Sequence, residues 1–131
     1  MSGFSNYLQS AVLNWLKGTA MPTAPAAVYV ALFNGDPTDA GTGGSEVTTT
    51  IRAAGRVAVT FGSVSGSTSM ANNADVDFGA SAGAAEVTHF AIYSAAEAGN
   101  MLGSNALAAP QNVASGNPVK FATGALTVSV T

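Results

Sequence analysis

The chain has 131 residues and a formal net charge of −3, from 4 basic and 7 acidic side chains. Charged residues are 8% of it, against about 25% in ordinary soluble domains, and it has no cysteine. So few basic groups cannot line a phosphate-binding face, which excludes nucleic acid as a partner. The lack of thiols excludes a disulfide framework, a thiolate zinc site and a cysteine nucleophile.

The opening MSGFSNYLQS has no basic start, so it does not read as a signal peptide. The longest apolar run, 26–33, is too short to cross a bilayer, and no membrane partner is expected. Branched and aromatic residues recur throughout, which argues for a folded chain. A single domain over 1–131 is expected, with a helix at 2–18 and a β-sandwich at 26–131. Its exterior must consist largely of Ala, Gly, Ser, Thr and Asn. Such a surface suits a protein covered by other subunits.

Residues 2–17 carry the one clear helical pattern. Phe4, Tyr7, Leu8, Ala11, Val12, Trp15 and Leu16 fall on one face of a 3.6-residue period. Ser2 or Ser5 is placed to cap the start, and Gly18 to stop the end. The apolar stripe must be buried, on this chain's own sheet or on a neighbour's. Pro22 and Pro25 then prevent further helix.

Strand patterns follow. The run 27–33 is apolar on both faces, which marks a central strand. Asn34-Gly35-Asp36-Pro37 is a turn, and 38–46 is a Gly-rich loop. A short strand is expected at 47–51. In 56–61, Val57, Val59 and Phe61 share a face, as do Val76 and Phe78 in 74–78. Residues 86–93 form the second strong strand. Further strands are expected at 100–108, weakly at 112–118, and at 119–121 and 125–131, where Leu126, Val128 and Val130 share a face. About eight short strands after one helix point to a mainly β, antiparallel sandwich or jelly roll.

No constellation for chemistry emerges, so no catalytic residue and no cofactor is expected. The single histidine, His89, sits mid-strand opposite in face to Phe90 and Ile92, and no G-x-S-x-G elbow marks a nucleophile. Asp36, Asp39 and Glu46 share the Gly-rich loop, but their spacing is not that of a calcium loop, and turn chemistry accounts for them; no metal is expected. Asp75 and Asp77 read as a solvated strand face. Arg52 and Arg56, the only arginines, flank Gly55 and suit pairing with acidic groups of a neighbour or plain exposure.

Several segments resemble a family of small phage virion proteins. They are Gly3 to Ala20, Pro25 to Gly41 (ending D-P-T-D-A-G), Arg56 to Phe61, Ala74 to Phe78, Glu86 to Tyr93 (E-V-T-H-F-A-I-Y) and Ser115 to Val128. Members are commonly labelled tail fibre proteins, and similar proteins serve as jelly-roll capsid decoration or cement proteins. The resemblance implies a non-enzymatic virion role. The expectation placed first is a homodimer or homotrimer that binds the major capsid protein on the outer surface of the head; a tail or tail-fibre component for host attachment is the alternative. The candidate interface residues are Phe4, Tyr7, Trp15, Arg52, Arg56, Asp36 and Asp39, together with loops 34–46 and 62–73.

Overall fold

The structure is a computed structural model that describes residues 3–129. Its centre is β2 (Val28–Asn34), as the two-sided apolar run requires. Along one edge β2 pairs antiparallel with β7 (Ala85–Tyr93), in a register that sets Val30 beside Ile92 and Leu32 beside Phe90. Its other edge is divided between β4 (Val57–Val59) and the two-residue β3 (Ser45–Glu46). On the far side of β7 lies β8 (Met101–Val113), and β1 (Gly3–Phe4) adds to β8. The order is β1-β8-β7-β2-β3, with β4 also on β2.

Two antiparallel pairs complete the strands: β6 (Val76–Ala80) with β9 (Pro118–Phe121), and β5 (Ser69–Ala71) with β10 (Thr127–Ser129). Val76, Phe78, Val119 and Val128 of these pairs, with Leu126 just before β10, cluster with Val30, Leu32, Phe90 and Ile92 of the main sheet. Apolar faces of separate sheets meeting in one core is the packing of a sandwich. The expected mainly β, antiparallel architecture with one N-terminal helix is therefore present, with ten strands among the described residues instead of about eight. The surplus includes β1 and β3, which at two residues each are too short to show any periodicity. Val130, expected beside Leu126 and Val128, lies outside the described residues.

The main sheet also buries its other face. Ala31, Phe33, Ala91, Tyr93 and Met101 form a second, smaller cluster. The rings of Phe33 and Tyr93 lie parallel, 6.5 Å apart. Apolar residues at odd and even positions of 27–33 are thus both used, one set on each side.

Two sequence expectations need correction. The helix, α1 (Asn6–Leu16), starts later than residue 2 because Gly3 and Phe4 pair with Ser104 and Gly103 of β8. Phe4 is a half-buried strand residue, and Ser5 is the cap, its Oγ accepting from the Leu8 N–H at 3.2 Å. Ser2, the other candidate cap, lies outside the described residues. The second correction is 47–51, which forms a one-turn helix, α2 (Thr48–Ile51), and not a strand. Between β3 and β4 the N–H of Leu32 has no strand beside it. The buried Thr48 Oγ1 accepts from it at 2.9 Å, and Ile51 on the same turn is completely buried. A satisfied buried donor outweighs the strand preference of a Val-Thr-Thr-Thr-Ile run.

Candidate interaction surface

The first half of α1 is tied to the body. Ser5 N–H donates to the Leu102 carbonyl at 2.9 Å, and Asn6 N–H donates to the Asp39 carbonyl at 2.7 Å. Gln9 Nε2 reaches the Phe4 carbonyl at 3.0 Å and Asp39 Oδ2 at 3.4 Å. Asp39 therefore stands at the N-terminus of α1, where the helix dipole favours a carboxylate.

The second half of α1 is not covered. Ala11 is the one buried residue of the helix. From Leu13 through Ala27 every residue is exposed. Leu13 is 65% exposed, Trp15 57%, Leu16 69% and Met21 42%. At about 3.6 residues per turn, Trp15 and Leu16 lie on the same side as Leu8, Ala11 and Val12. The predicted stripe is real, but the sheet ends beneath its first two turns and the last turn overhangs. Of the two expected ways to bury Trp15, on this chain's own sheet or on a neighbour's, the chain itself does not supply the first, because the stripe is longer than the surface available to cover it. Tyr7, the second residue of the helix, is also exposed.

Of the charged candidates, Asp39 lies beside Tyr7 at the start of α1, whereas Asp36, Arg52 and Arg56 are placed elsewhere. Asp36 Oδ1 accepts from the Thr38 N–H at 2.8 Å, closing the turn after β2. Arg52 Nη1 donates to the Gly55 and Arg56 carbonyls at 3.0 and 3.2 Å, closing the turn after α2. Arg56 is engaged by its own chain. Its Nε and Nη2 bind both oxygens of Glu46, each at 3.0 Å. Its Nη1 donates to the carbonyls of Ala95 and Ala98 at 3.1 and 2.8 Å. The Arg56 side chain is 8% exposed.

Sequence reasoning missed the group that this arginine organises. Glu46 Oε2 also accepts from Thr48 Oγ1 at 2.7 Å, so a continuous polar chain runs from the Leu32 N–H through Thr48 and Glu46 to Arg56. Burial pushes the Glu46 carboxyl up, but hydrogen bonds from Arg56 and Thr48, with the Arg56 charge, outweigh it and hold the group below its ordinary value. Burial raises the Tyr93 phenol, and the nearby Arg56 charge offsets part of that rise. Glu46, which the sequence grouped with Asp36 and Asp39, thus faces a different partner from either.

The remaining candidates for chemistry are dispersed. His89 is half-buried, its Nδ1 2.9 Å from Thr88 Oγ1, and that threonine oxygen accepts from the Gly35 N–H at 2.7 Å. Asp75 pairs with Lys120 at 3.2 Å, both half-exposed, and accepts from Thr123. Asp77 Oδ1 accepts from the Gly79 N–H at 2.7 Å. Among the described residues no cluster of three or more His, Asp or Glu side chains could hold a metal ion. Among the described residues no helix is long and apolar enough to cross a membrane.

No curated protein matches the chain. Residues 3–129, from β1 to the end of β10, match the family described as podophage GP4 fiber I protein gp80, and the chain belongs to that family.

Proposed function

We propose that the chain is a non-enzymatic structural subunit of a phage particle and that it works in a fibre or tail assembly. The family match over residues 3–129 carries this reading. The family is described by a fibre, which favours the tail over the head surface that the sequence reading placed first. Decoration or cementing of the capsid draws no support from that description.

The geometry fits a part that acts by contact. Asp36, Asp77 and Arg52 close turns, Glu46 pairs with Arg56 and Asp75 with Lys120, while an apolar helix end that carries one charge, Lys17, is left exposed. Contacts of apolar and hydrogen-bonding character are insensitive to salt, which suits an extracellular assembly.

Gold-labelled antibody against the chain, imaged on intact particles, tests the reading. Label confined to the tail or its fibres is the expected result. Dense label over the head, in the many copies a decoration protein needs, would reverse it.

A further inference from the structure

Asn34 is the one asparagine of the sequence that is followed by glycine. Such a pair can react with itself. The glycine backbone nitrogen, with no Cβ beside it to hinder approach, attacks the asparagine Cγ. A C–N bond forms, the Cγ–Nδ2 bond breaks, and ammonia leaves with the amide proton. Water then opens the succinimide ring at either carbonyl. The products are aspartate and isoaspartate, the second with an extra methylene in the backbone. Water is the one reactant that the chain does not supply.

Asn34 is exposed at the end of β2, but the nitrogen that must attack is restrained in three ways. The first grips the nucleophile directly. The Gly35 N–H donates to Thr88 Oγ1 at 2.7 Å, across 53 residues of sequence. His89 Nδ1 at 2.9 Å and the Phe33 carbonyl at 3.5 Å are both placed to take that hydroxyl's own proton, which leaves a lone pair for Gly35. The second restraint is the ladder. Asn34 pairs with Ser45 of β3, and the extended backbone of a strand turns the next nitrogen away from the side chain. The third is packing. A Cβ on Gly44 would lie 2.6 Å from the Gly35 carbonyl oxygen and 3.0 Å from that of Asn34, so the Gly44 backbone presses on both peptide groups.

We propose that Asn34–Gly35 is a latent deamidation site and that the Thr88 hydroxyl keeps it closed. Ring closure requires the Gly35 N–H to leave Thr88 and the peptide to rotate, so the reaction proceeds from a locally opened turn. The ladder alone is a weak restraint there, because β3 has two residues. Thr88 belongs to β7, which pairs with β2 over five positions, from Tyr29–Tyr93 to Phe33–His89. It therefore anchors Gly35 to the most firmly paired part of the sheet.

Conversion to isoaspartate would lengthen the backbone where β2 enters the loop that holds α1. The Asp39 carbonyl of that loop accepts from the Asn6 N–H at 2.7 Å. The Thr88 hydroxyl thus protects the seating of the helix as the protein ages. Thr88 is a positioning residue in this scheme, because it touches the attacking nitrogen and makes no bond in the reaction.

The proposal does not depend on where the chain sits in a particle, since it is read on the purified protein. Wild type is held at mildly alkaline pH and body temperature, folded and in urea, and Asn34 is followed by peptide mapping and mass spectrometry. Deamidation should be at least about tenfold slower in the folded chain. Thr88→Val, which keeps the side-chain shape but removes the acceptor, should speed it by roughly threefold to tenfold in the folded state, the worth of one hydrogen bond. Thr88→Ser, which restores the hydroxyl, should return the rate toward wild type. Hydrogen exchange should show protection lost at the Gly35 amide in Thr88→Val and kept in Thr88→Ser. Asn72→Ala, which removes the buried bond to the Leu126 N–H, is the control for general loosening and should leave the Asn34 rate unchanged. A folded wild type that deamidates as fast as the chain in urea would overturn the proposal whatever the variants do. So would a Thr88→Val rate equal to wild type, a Thr88→Ser rate equal to Thr88→Val, or an equal acceleration in Asn72→Ala.

Discussion

The guanidinium carbon of Arg56 lies 3.7 Å from the centroid of the Tyr93 ring. That contact joins the end of β7 to the segment before β4, over the second apolar cluster. The same guanidinium binds Glu46 through two parallel bonds and holds two carbonyls of the 94–100 loop. The planar fork is needed for all of this at once, and an ammonium cannot replace it. Arg56→Lys should lose about 1–2 kcal/mol of stability, and Arg56→Ala about 2–4 kcal/mol, since Glu46 and both carbonyls lose their donor. Urea unfolding followed by circular dichroism measures both. Equal, negligible losses would show that the contacts contribute nothing.

Glu46 makes the same group sensitive to acid. Its carboxyl is held below the ordinary value of 4.5 in the folded chain. A lowered folded pKa means that the stabilisation is present in full above 4.5 and is lost as pH falls through the folded value. Wild-type stability should therefore fall on acidification below that point. Glu46→Gln should start lower at neutral pH and show a flatter decline. Urea midpoints collected across the acid range check this; parallel curves for the two proteins would contradict it.

Much of the architecture was legible in residue patterns. The two-sided run at 27–33 indicated a central strand, and β2 has neighbours on both edges and apolar clusters on both faces. Alternation placed Val76 and Phe78 inward correctly. Patterns reported less about what lies against a face. The helical period grouped Trp15 with Leu8 and Ala11, but the extent of the sheet beneath them is a property of the fold. Arg56 read as an outward charge because nothing local brings Glu46, Ala95 and Ala98 to it; those partners are 10, 39 and 42 residues away. The Thr48 turn was misread for a similar reason, since the donor that it satisfies is 16 residues back in β2.

Asn72 is a second position that sequence alone left inside a polar loop. It is 2% exposed. Its Oδ1 accepts from the Leu126 N–H at 2.9 Å, and its Nδ2 donates to the carbonyls of Ala74 and Ala122 at 2.8 and 3.1 Å. One side chain thus ties the approach to β6 to the chain between β9 and β10. Asn72→Ala should cost about 2–4 kcal/mol, because it leaves a buried N–H unpaired as well as losing its bonds. Asn72→Asp should cost at least as much at neutral pH: the carboxylate keeps the acceptor but sets negative charge against two carbonyl oxygens. Thermal unfolding of both variants beside Asn73→Ala, at an exposed neighbour, provides the comparison.

The loop after β2 can be dissected by two of its glycines, Gly43 and Gly44, with Gly116 of the turn between β8 and β9 as the reference; the three differ in what constrains them. Gly116 has φ +88° and open space around an added Cβ, so Gly116→Ala isolates the backbone penalty, about 1 kcal/mol. Gly43 lacks a positive φ, but its Cβ would press on the Asp36 carbonyl oxygen and lie 2.9 Å from Thr38 Cγ2; Gly43→Ala isolates the steric penalty, about 1–3 kcal/mol. Gly44 combines both, with φ +60° and a Cβ that would lie 2.6 Å from the Gly35 carbonyl oxygen. Gly44→Ala should therefore be the most destabilising of the three. Its effect should also reach α1, because the Asn6 N–H is held by the Asp39 carbonyl of this loop. Hydrogen exchange reads that directly: in Gly44→Ala the Asn6 amide should lose more protection than the Leu32 amide in the core, whereas Gly116→Ala should leave their ratio unchanged. An unchanged ratio in Gly44→Ala would mean that the loop does not hold the helix.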